Sequence, residues 1–186
     1  ARLCHEEMSG KENHVFNPAF REEDMDELLS ICDHIIFNSL RQLSLYGARA
    51  KAAGCAIGLR INPEKSTQEG HAIYDPCAPG SRMGVTVNEL RNGLEEQPEL
   101  LELLDGLHFH TLCEQDSNDL EITLDEVILK FGTWLKSMKW INFGGGHHIT
   151  REGYDIERLE RCIMRMKKDF GLEVYLEPGE AIALNA

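Results

Sequence analysis

Residues 124–146, LDEVILKFGTWLKSMKWINFGGG, contain both kinds of segment from which the rest of the chain is built. Residues 124–138 repeat apolar side chains at helical spacing, which predicts a helix despite Gly132. Residues 139–146 form a short apolar run that ends in three glycines, which predicts a buried strand leading into a turn. The stretch therefore predicts a helix followed by a strand whose carboxyl end carries a glycine loop.

Short apolar runs and longer amphipathic segments alternate on both sides of this stretch. Strands are predicted at 14–17, 34–38, 55–62, 106–111, 139–146 and 173–182. Helices are predicted at 21–33, at 39–54, from near Thr86, near 98–104, at 124–138 and at 155–171, with a loop over 63–82. Strands that alternate with helices in this way indicate parallel βαβ units and an α/β fold.

Polar residues or glycines follow nearly every predicted strand at its carboxyl end. They are Asn38, Asn62, His110, Gly144–Gly146 and Glu177. An open doubly wound sheet would gather such residues at one switch point, whereas a TIM-type (β/α)8 barrel carries them around one central site. We therefore expect a barrel, of which residues 1–186 supply about six of the eight βα units. The helical pattern of residues 1–10 could be the end of a preceding unit.

The composition limits the classes of partner and compartment. The chain has 19 Lys and Arg against 32 Asp and Glu, a formal net charge of −13. This charge argues against nucleic acid and membranes as partners and suits a cationic small molecule. The six cysteines are too widely spaced for a zinc ribbon or a disulfide framework, so we expect a reducing, cytoplasmic location. No membrane span or signal peptide is predicted, and without an initiator Met we expect the natural N-terminus upstream of Ala1.

Two of the strand ends carry glycines or histidines suited to binding a ligand. Gly144–Gly146 would let backbone N–H groups approach a phosphate closely, although a simple turn also explains a glycine triplet. His108 and His110 share one face of a strand, and such a pair could bind a metal or could be structural. Further potential metal ligands are His147, His148, Glu114 and Glu177.

Glu177 ends the last predicted strand within EPGE, residues 177–180, where Pro178 and Gly179 force a turn. A carboxylate at the centre of a site is costly unless something cationic meets it, which predicts a protonated nitrogen opposite Glu177. A phosphate cradle, a flat His ring and such a carboxylate together describe a pocket for pyridoxal 5′-phosphate (PLP).

Six longer motifs run through essentially the whole chain: FNSLRQL (37–43), GLRINP (58–63), YDPCAPGSRMGV (74–85), LHFHTLCEQ (107–115), GGGHHIT (144–150) and LEPGEA (176–181). In this order and spacing they resemble the fold-type III, alanine-racemase-like PLP-dependent decarboxylases, and within them the carboxynorspermidine decarboxylase family. The resemblance implies a carboxy-lyase that converts carboxynorspermidine, and also carboxyspermidine, to norspermidine and spermidine in polyamine biosynthesis.

The same resemblance implies roles for individual residues. His110 would stack on the cofactor ring and Glu177 would contact the pyridine nitrogen, so these are the expected catalytic residues. Other expected cofactor contacts are Gly144, Gly145, Gly146, Gly179 and Arg60. No metal is expected.

Two positions depart from the ornithine branch of this family. Glu180 stands where many relatives have arginine, and Leu112-Cys113-Glu114 replaces a small Gly-Ser pair. A carboxylate beside a phosphate is repulsive unless it faces a cation. We therefore expect Glu180, together with Glu114, to bind a protonated amine of a polyamine-type amino acid substrate. The alternative is a glutamate that faces solvent.

In this family a Schiff-base lysine ends the first barrel strand, and a C-terminal β-domain contributes residues to the partner's site. We expect both outside residues 1–186, which would be barrel units three to eight of a homodimer with a shared active site and inactive by themselves. Two other functions stay open. One is a PLP-binding homeostasis protein of the same fold without turnover, and the other is a metal-dependent barrel hydrolase using His108, His110 and His147.

Overall fold

The computed structural model describes residues 1–8, 10–68 and 75–183. Residues 69–74, which belong to the predicted loop 63–82 and begin the motif at 74–85, lie outside the described part. The helices are α1 (Arg2–Glu7), α2 (Glu22–Ile31), α3 (Leu40–Ala52), α4 (Val87–Glu96), α5 (Leu100–Leu103), α6 (Ser117–Leu135), α7 (Ile156–Phe170) and α8 (Gly179–Ala183). The strands are β1 (His14–Asn17), β2 (His34–Phe37), β3 (Ala56–Arg60), β4 (Gly106–His108), β5 (Trp140–Asn142) and β6 (Glu173–Tyr175).

The six strands form one parallel sheet in the order β1-β2-β3-β4-β5-β6. A doubly wound sheet reverses its strand order at a switch point, and this sheet has no such reversal. It curls instead, so that Phe16 on β1 stacks on His108 of β4 with 5.5 Å between the ring centroids. The predicted α/β barrel is therefore confirmed as a half-barrel of six parallel strands.

The two sides of the sheet are built from different residues, because successive strand residues point in opposite directions. The outer side packs against the helices through fully buried apolar residues, among them Ile35, Leu59, Leu107 and Ile141. The inner side carries buried residues that are mostly polar or aromatic, among them His34, Arg60, His108, Trp140 and Asn142. The polar inner side is thus the part of the fold where a ligand can be held.

Trp140 fills part of the inner side, and two glycines make room for its indole. A Cβ atom on Gly106 would lie 2.0 Å from Trp140 Cδ2, and one on Gly58 would lie 2.4 Å from Trp140 Cη2. Any larger residue at either position would collide with the ring, because protein interiors have no spare volume of that size.

Two element boundaries differ from the sequence-based predictions. Helix α6 begins at Ser117 rather than near residue 124, because Asp116 and Asp119 form a capping box at its amino end. Strand β6 ends at Tyr175 and α8 follows, whereas the sequence predicts a strand through residue 182. Pro178 has no N–H group with which to continue the ladder, which ends the strand early.

The cysteines form no disulfide bonds in the structure. All six cysteines are free, and Cys32 and Cys162 are buried. Over the ranges that the structure describes, no helix is both long and apolar enough to span a bilayer.

Candidate active site

The loops after β3, β4, β5 and β6 meet at the carboxyl edge of the sheet. Backbone hydrogen bonds continue past the strand ends, from Phe109 N to Asn142 O at 3.0 Å and from Phe143 N to Tyr175 O at 2.9 Å. Because all strands run in the same direction, residues that follow them in sequence lie side by side at this edge.

Residues Gly144–Gly146 form a loop that is packed between the loop after β4 and the turn after β6. Gln115 N donates to Gly146 O at 3.0 Å, and Glu177 N donates to Gly144 O at 2.9 Å. A Cβ atom would lie 2.5 Å from Phe109 O at Gly144 and 2.2 Å from Leu112 O at Gly146, and both glycines have positive φ. Only glycine satisfies both the conformation and the close approach.

The N–H groups of this loop differ in their partners. Gly144 N donates to Asn142 Oδ1 at 2.8 Å, and Gly145 N donates to His110 Nδ1 over a long 3.4 Å. Among the described residues, Gly146 N has no hydrogen-bond acceptor. The loop therefore has a backbone donor that an oxyanion could use.

Glu177 follows β6 and reaches the centre of this edge. Its Oε1 accepts a hydrogen bond from Asn142 Nδ2 at 2.9 Å and lies 3.4 Å from His108 Nε2. Its side chain is 40% exposed. Burial alone would raise the pKa of Glu177, but the contacts with His108 and Asn142 outweigh burial and hold the pKa well below its usual range. The carboxylate is therefore ionised, and Oε2 has no hydrogen-bond donor within the described part of the chain.

His108 lies beneath this carboxylate and is almost fully buried. Neither of its ring nitrogens has a hydrogen-bond partner among the described residues. Burial lowers the pKa of His108, against the opposing effect of Glu177, so the ring is neutral. Buried polar atoms without partners are uncommon, and they mark this position as one where a further group can bind.

His110 and Arg60 are held together at the ends of β4 and β3. Arg60 is 4% exposed, donates from Nη2 to His110 O at 3.2 Å, and lies over the Phe16 ring with 4.8 Å from Cζ to its centroid. Burial lowers the pKa of Arg60 to about 10, which leaves it protonated at neutral pH. Burial, with Arg60 and His108 adding to the effect, lowers the pKa of His110 to about 4. His110 therefore offers a flat, neutral ring.

A cavity of about 540 Å³ opens beside His110, a volume within the usual range of cofactor and substrate sites. Its lining residues are Phe16, Arg60, Pro76, Met83, His110, Leu112, Cys113, Glu114, Gly146 and Glu180. The structure thus brings Arg60, His110, Gly146, Glu114 and Glu180, all of them predicted site residues, to one space.

The other predicted site residues, Gly144, Gly145, Glu177 and Gly179, are not among the residues that line this cavity. Gly179 N donates to Glu177 O at 2.8 Å, in the tight turn that precedes α8. No lysine is among the described residues that line the cavity. Lys51 and Lys139 instead pair with Asp105 at the amino edge of the sheet.

Asn142 and Phe16 belong to the candidate site in the structure, although no sequence motif identifies them. Asn142 orients both Glu177 and Gly144, and Phe16 packs on His108 and Arg60. Both are inner-side residues of their strands, and that register is the signal that could have identified them.

The histidines of the metal-hydrolase alternative are only partly brought together. His108, His110 and Glu177 have potential ligand atoms within 4.8 Å of one another. His147 is not in this group; it is fully buried and pairs through its backbone with Gln115.

Comparison with known proteins identifies relatives of this chain, although no protein-family model matches it. It is 42% identical over 176 residues to a carboxynorspermidine/carboxyspermidine decarboxylase of Campylobacter jejuni, covering 95% of this chain and 44% of that protein. It is 39% identical over 184 residues to a carboxyaminopropylagmatine decarboxylase of Synechocystis sp., covering 98% of this chain and 46% of that protein. The chain thus spans somewhat less than half the length of these curated relatives.

A solved structure has the same fold as the described part of the chain. It is carboxynorspermidine decarboxylase from Campylobacter jejuni complexed with norspermidine, with a TM-score of 0.79 and 39% identity over 95% of this chain and 43% of that one. These relatives confirm the resemblance that the sequence motifs predict, and the chain is homologous to one region of the carboxynorspermidine decarboxylases.

Proposed function

We propose that this chain is the cofactor-holding barrel region of a PLP-dependent decarboxylase, and that its substrate is carboxynorspermidine or carboxyspermidine. The observation that carries the proposal is Glu177, an ionised carboxylate that is fixed by Asn142 beside the Gly144–Gly146 loop. The names of the relatives, all of them decarboxylases of carboxylated polyamines or of carboxyaminopropylagmatine, support this reaction class.

The residues present fit PLP at both ends of that molecule. The glycine loop lacks side chains that would keep an oxyanion from its backbone, and Gly146 N is a donor for a phosphate oxygen. Glu177 Oε2 is an acceptor for a protonated pyridine nitrogen. When bound, PLP supplies the electron sink that accepts the electron pair left behind by departing CO₂.

In this proposal the chain's own residues keep the ring nitrogen of the cofactor protonated and keep the cofactor ring in place. Glu177, with its low pKa, keeps a proton on the ring nitrogen rather than taking it up, because the anion favours the cationic form of its partner. Asn142 donates to Oε1, with His108 in contact on the same side, so Oε2 would remain free to hold the cofactor's ring nitrogen. His110 would present its neutral ring to the cofactor, and Arg60 holds the His110 backbone by donating to its carbonyl oxygen.

Glu180 and Glu114 are proposed to bind the substrate. Both line the cavity, and a polyamine-type amino acid carries protonated amines that a carboxylate attracts. Norspermidine, present in the related structure from Campylobacter jejuni, is a ligand of this class. The resemblance further supports a cytoplasmic homodimer with a shared active site, and we include both features in the proposal.

The test is Glu177→Gln in the catalytically active protein that contains this chain. We expect turnover of carboxynorspermidine to fall on the order of 10²–10³-fold, as when other preorganised polar groups are removed from active sites. The fold should be retained, since the replacement has the same shape. Glu160→Gln, at an exposed position of α7, is the matched control and should leave turnover unchanged.

Two results would contradict the proposal. Unchanged turnover in Glu177→Gln would remove this residue from its role. Failure of the unsubstituted protein to decarboxylate either substrate, with zinc bound in place of PLP, would instead favour the metal site at His108, His110 and Glu177.

A further inference from the structure

His148 contacts Glu180 at the edge of the cavity. The two residues come from different loops, His148 from the one after β5 and Glu180 from the first turn of α8. His148 Nε2 lies 2.5 Å from Glu180 Oε2, and the two side chains are only 18% and 32% exposed. Glu180 Oε2 is itself buried and has no hydrogen-bond partner among the described residues, so it meets the His148 ring nitrogen as a close polar contact. One oxygen of the carboxylate thus lies against the imidazole.

The position of His148 is fixed through its backbone. His148 N donates to Gln115 O at 3.2 Å, and Arg151 N donates to His148 O at 2.9 Å. Arg151 in turn pairs with Asp116, beside Gln115. The loops after β4 and β5 therefore hold His148 from both sides, so its ring can act as a fixed support for a side chain from a third loop.

A ring nitrogen in close contact with one carboxylate oxygen restricts the positions that the carboxylate can occupy. A carboxylate has about four lone-pair sites, so a contact at Oε2 leaves Oε1 able to accept from a second, cationic donor. Glu114, the other cavity carboxylate, is exposed, and none of the described residues forms a salt bridge with it. Glu180 thus has a fixed side-chain neighbour in the described structure, whereas Glu114 does not.

We propose that His148 is a positioning residue that aims Glu180 at a protonated amine of the substrate. The inference rests on the proposed function, and it assigns amine recognition chiefly to the His148–Glu180 pair. His148 itself does not touch the reacting atoms. Its loss should therefore weaken substrate binding and leave the chemistry and cofactor binding unchanged.

The experiment is a double-mutant cycle in the active protein, with His148→Leu, Glu180→Gln and the combined variant. We expect His148→Leu to raise KM for carboxynorspermidine several-fold, with little change in kcat or PLP affinity. In the Glu180→Gln background the same replacement should add nothing, because the group it positions is gone. His5→Leu, at an exposed position in α1, is the matched control.

Two further substitutions of His148, by Gln and by Asn, distinguish a positioning role from a packing role. Gln places a polar group at about the same reach as the imidazole nitrogen, so His148→Gln should keep the contact with Glu180 and retain a nearly normal KM, whereas the shorter Asn should not. This pair also decides the matter if His148→Leu fails to fold.

Three outcomes overturn the inference. They are an equal effect of His148→Leu with and without Glu180, a loss of PLP affinity or kcat rather than a rise in KM, and a His148→Gln variant as impaired as His148→Asn. If the unsubstituted protein shows no turnover at all, the proposed function is wrong. That result differs from the three outcomes above, which contradict only the role of His148.

Discussion

Gly146 illustrates how one residue of the candidate site is determined by two independent constraints. Its φ of +80° lies in the left-handed region, and a Cβ there would lie 2.2 Å from Leu112 O. Gly153, in the same loop, has a similar φ of +81° but no atom within 4 Å of a built Cβ. A comparison of the two glycines therefore distinguishes the effect of a positive φ, which both have, from the effect of close packing, which only Gly146 has.

We expect Gly153→Ala to lower the free energy of unfolding by about 1–2 kcal/mol, the cost of a side chain in the left-handed region. Gly146→Ala should cost about 1–3 kcal/mol more, because it also overpacks the loop. Only Gly146→Ala should weaken PLP binding. Urea denaturation and PLP titration of both variants measure this, and equal losses would show that the close approach at Gly146 is unimportant.

The buried histidines make stability depend on pH. Burial lowers the pKa values of His34, His108 and His147, and lowers that of His110 to about 4, all from a reference of 6.5. The unfolded chain therefore binds more protons than the folded one below pH 6.5, and acidification favours unfolding. Stability should be at its full value above that pH and fall as the pH is lowered through it.

Urea unfolding at pH 7.5, 6 and 5 tests this prediction. We expect the midpoint to fall steadily between the first and last condition. His147→Gln, which cannot be protonated, should flatten the slope, whereas the exposed His5→Gln should not. A midpoint that stays constant down to pH 5 would mean that these rings are already solvated in the folded protein.

At the scale of the elements, the sequence predicted those helix and strand boundaries that are determined by neighbouring residues. Helix α4 begins after Thr86, as the sequence predicts, and the structure shows that Thr86 and Glu89 form a capping box there. The early start of α6 differs from the prediction because the apolar pattern becomes clear only after residue 124, whereas Asp116 caps the helix eight residues earlier. The end of β6 was misjudged because a proline after an apolar run does not by itself distinguish a strand end from a bulge.

The packing of strand β4 against strand β5 requires Gly106, a requirement that the sequence pattern does not reveal. Gly106→Ala should lower the free energy of unfolding by about 1–3 kcal/mol, because its Cβ would enter the Trp140 ring. Gly132→Ala in α6 is the matched control, since the nearest atoms lie 4.0 Å away, and it should be neutral or stabilising by up to about 1 kcal/mol.

Denaturation curves of Gly106→Ala, Gly132→Ala and a Gly106→Ala/Trp140→Phe double variant provide the measurement. The smaller ring should recover part of the loss at Gly106. If Gly106→Ala proves as stable as Gly132→Ala, the indole must have an alternative position on the inner side.

At the scale of the whole molecule, the barrel-type sheet was predicted from polar residues at successive strand ends. These residues predicted the edge at which His110, Arg60 and the glycine loop meet. Contacts between loops distant in sequence were not predictable, because no local pattern specifies them. The Asn142 bond to Glu177 and the His148 contact with Glu180 are of this kind.

The absence of lysine from the described cavity lining leads to a prediction for the chain as a unit. Borohydride reduction of this chain in the presence of PLP should label no single lysine to stoichiometry. The active protein that contains the chain should acquire one label, at a lysine outside residues 1–186. Peptide mass spectrometry locates the label. A stoichiometric label within residues 1–186, together with decarboxylase activity, would refute the expectation.

Every strand of the sheet lies beside the strand that was synthesised immediately before it. As the polypeptide leaves the ribosome, each new βα unit therefore meets an edge that is already formed, and no gap has to be kept open for a later segment. Growth of the nascent chain and growth of the sheet can thus proceed in the same direction, one unit at a time.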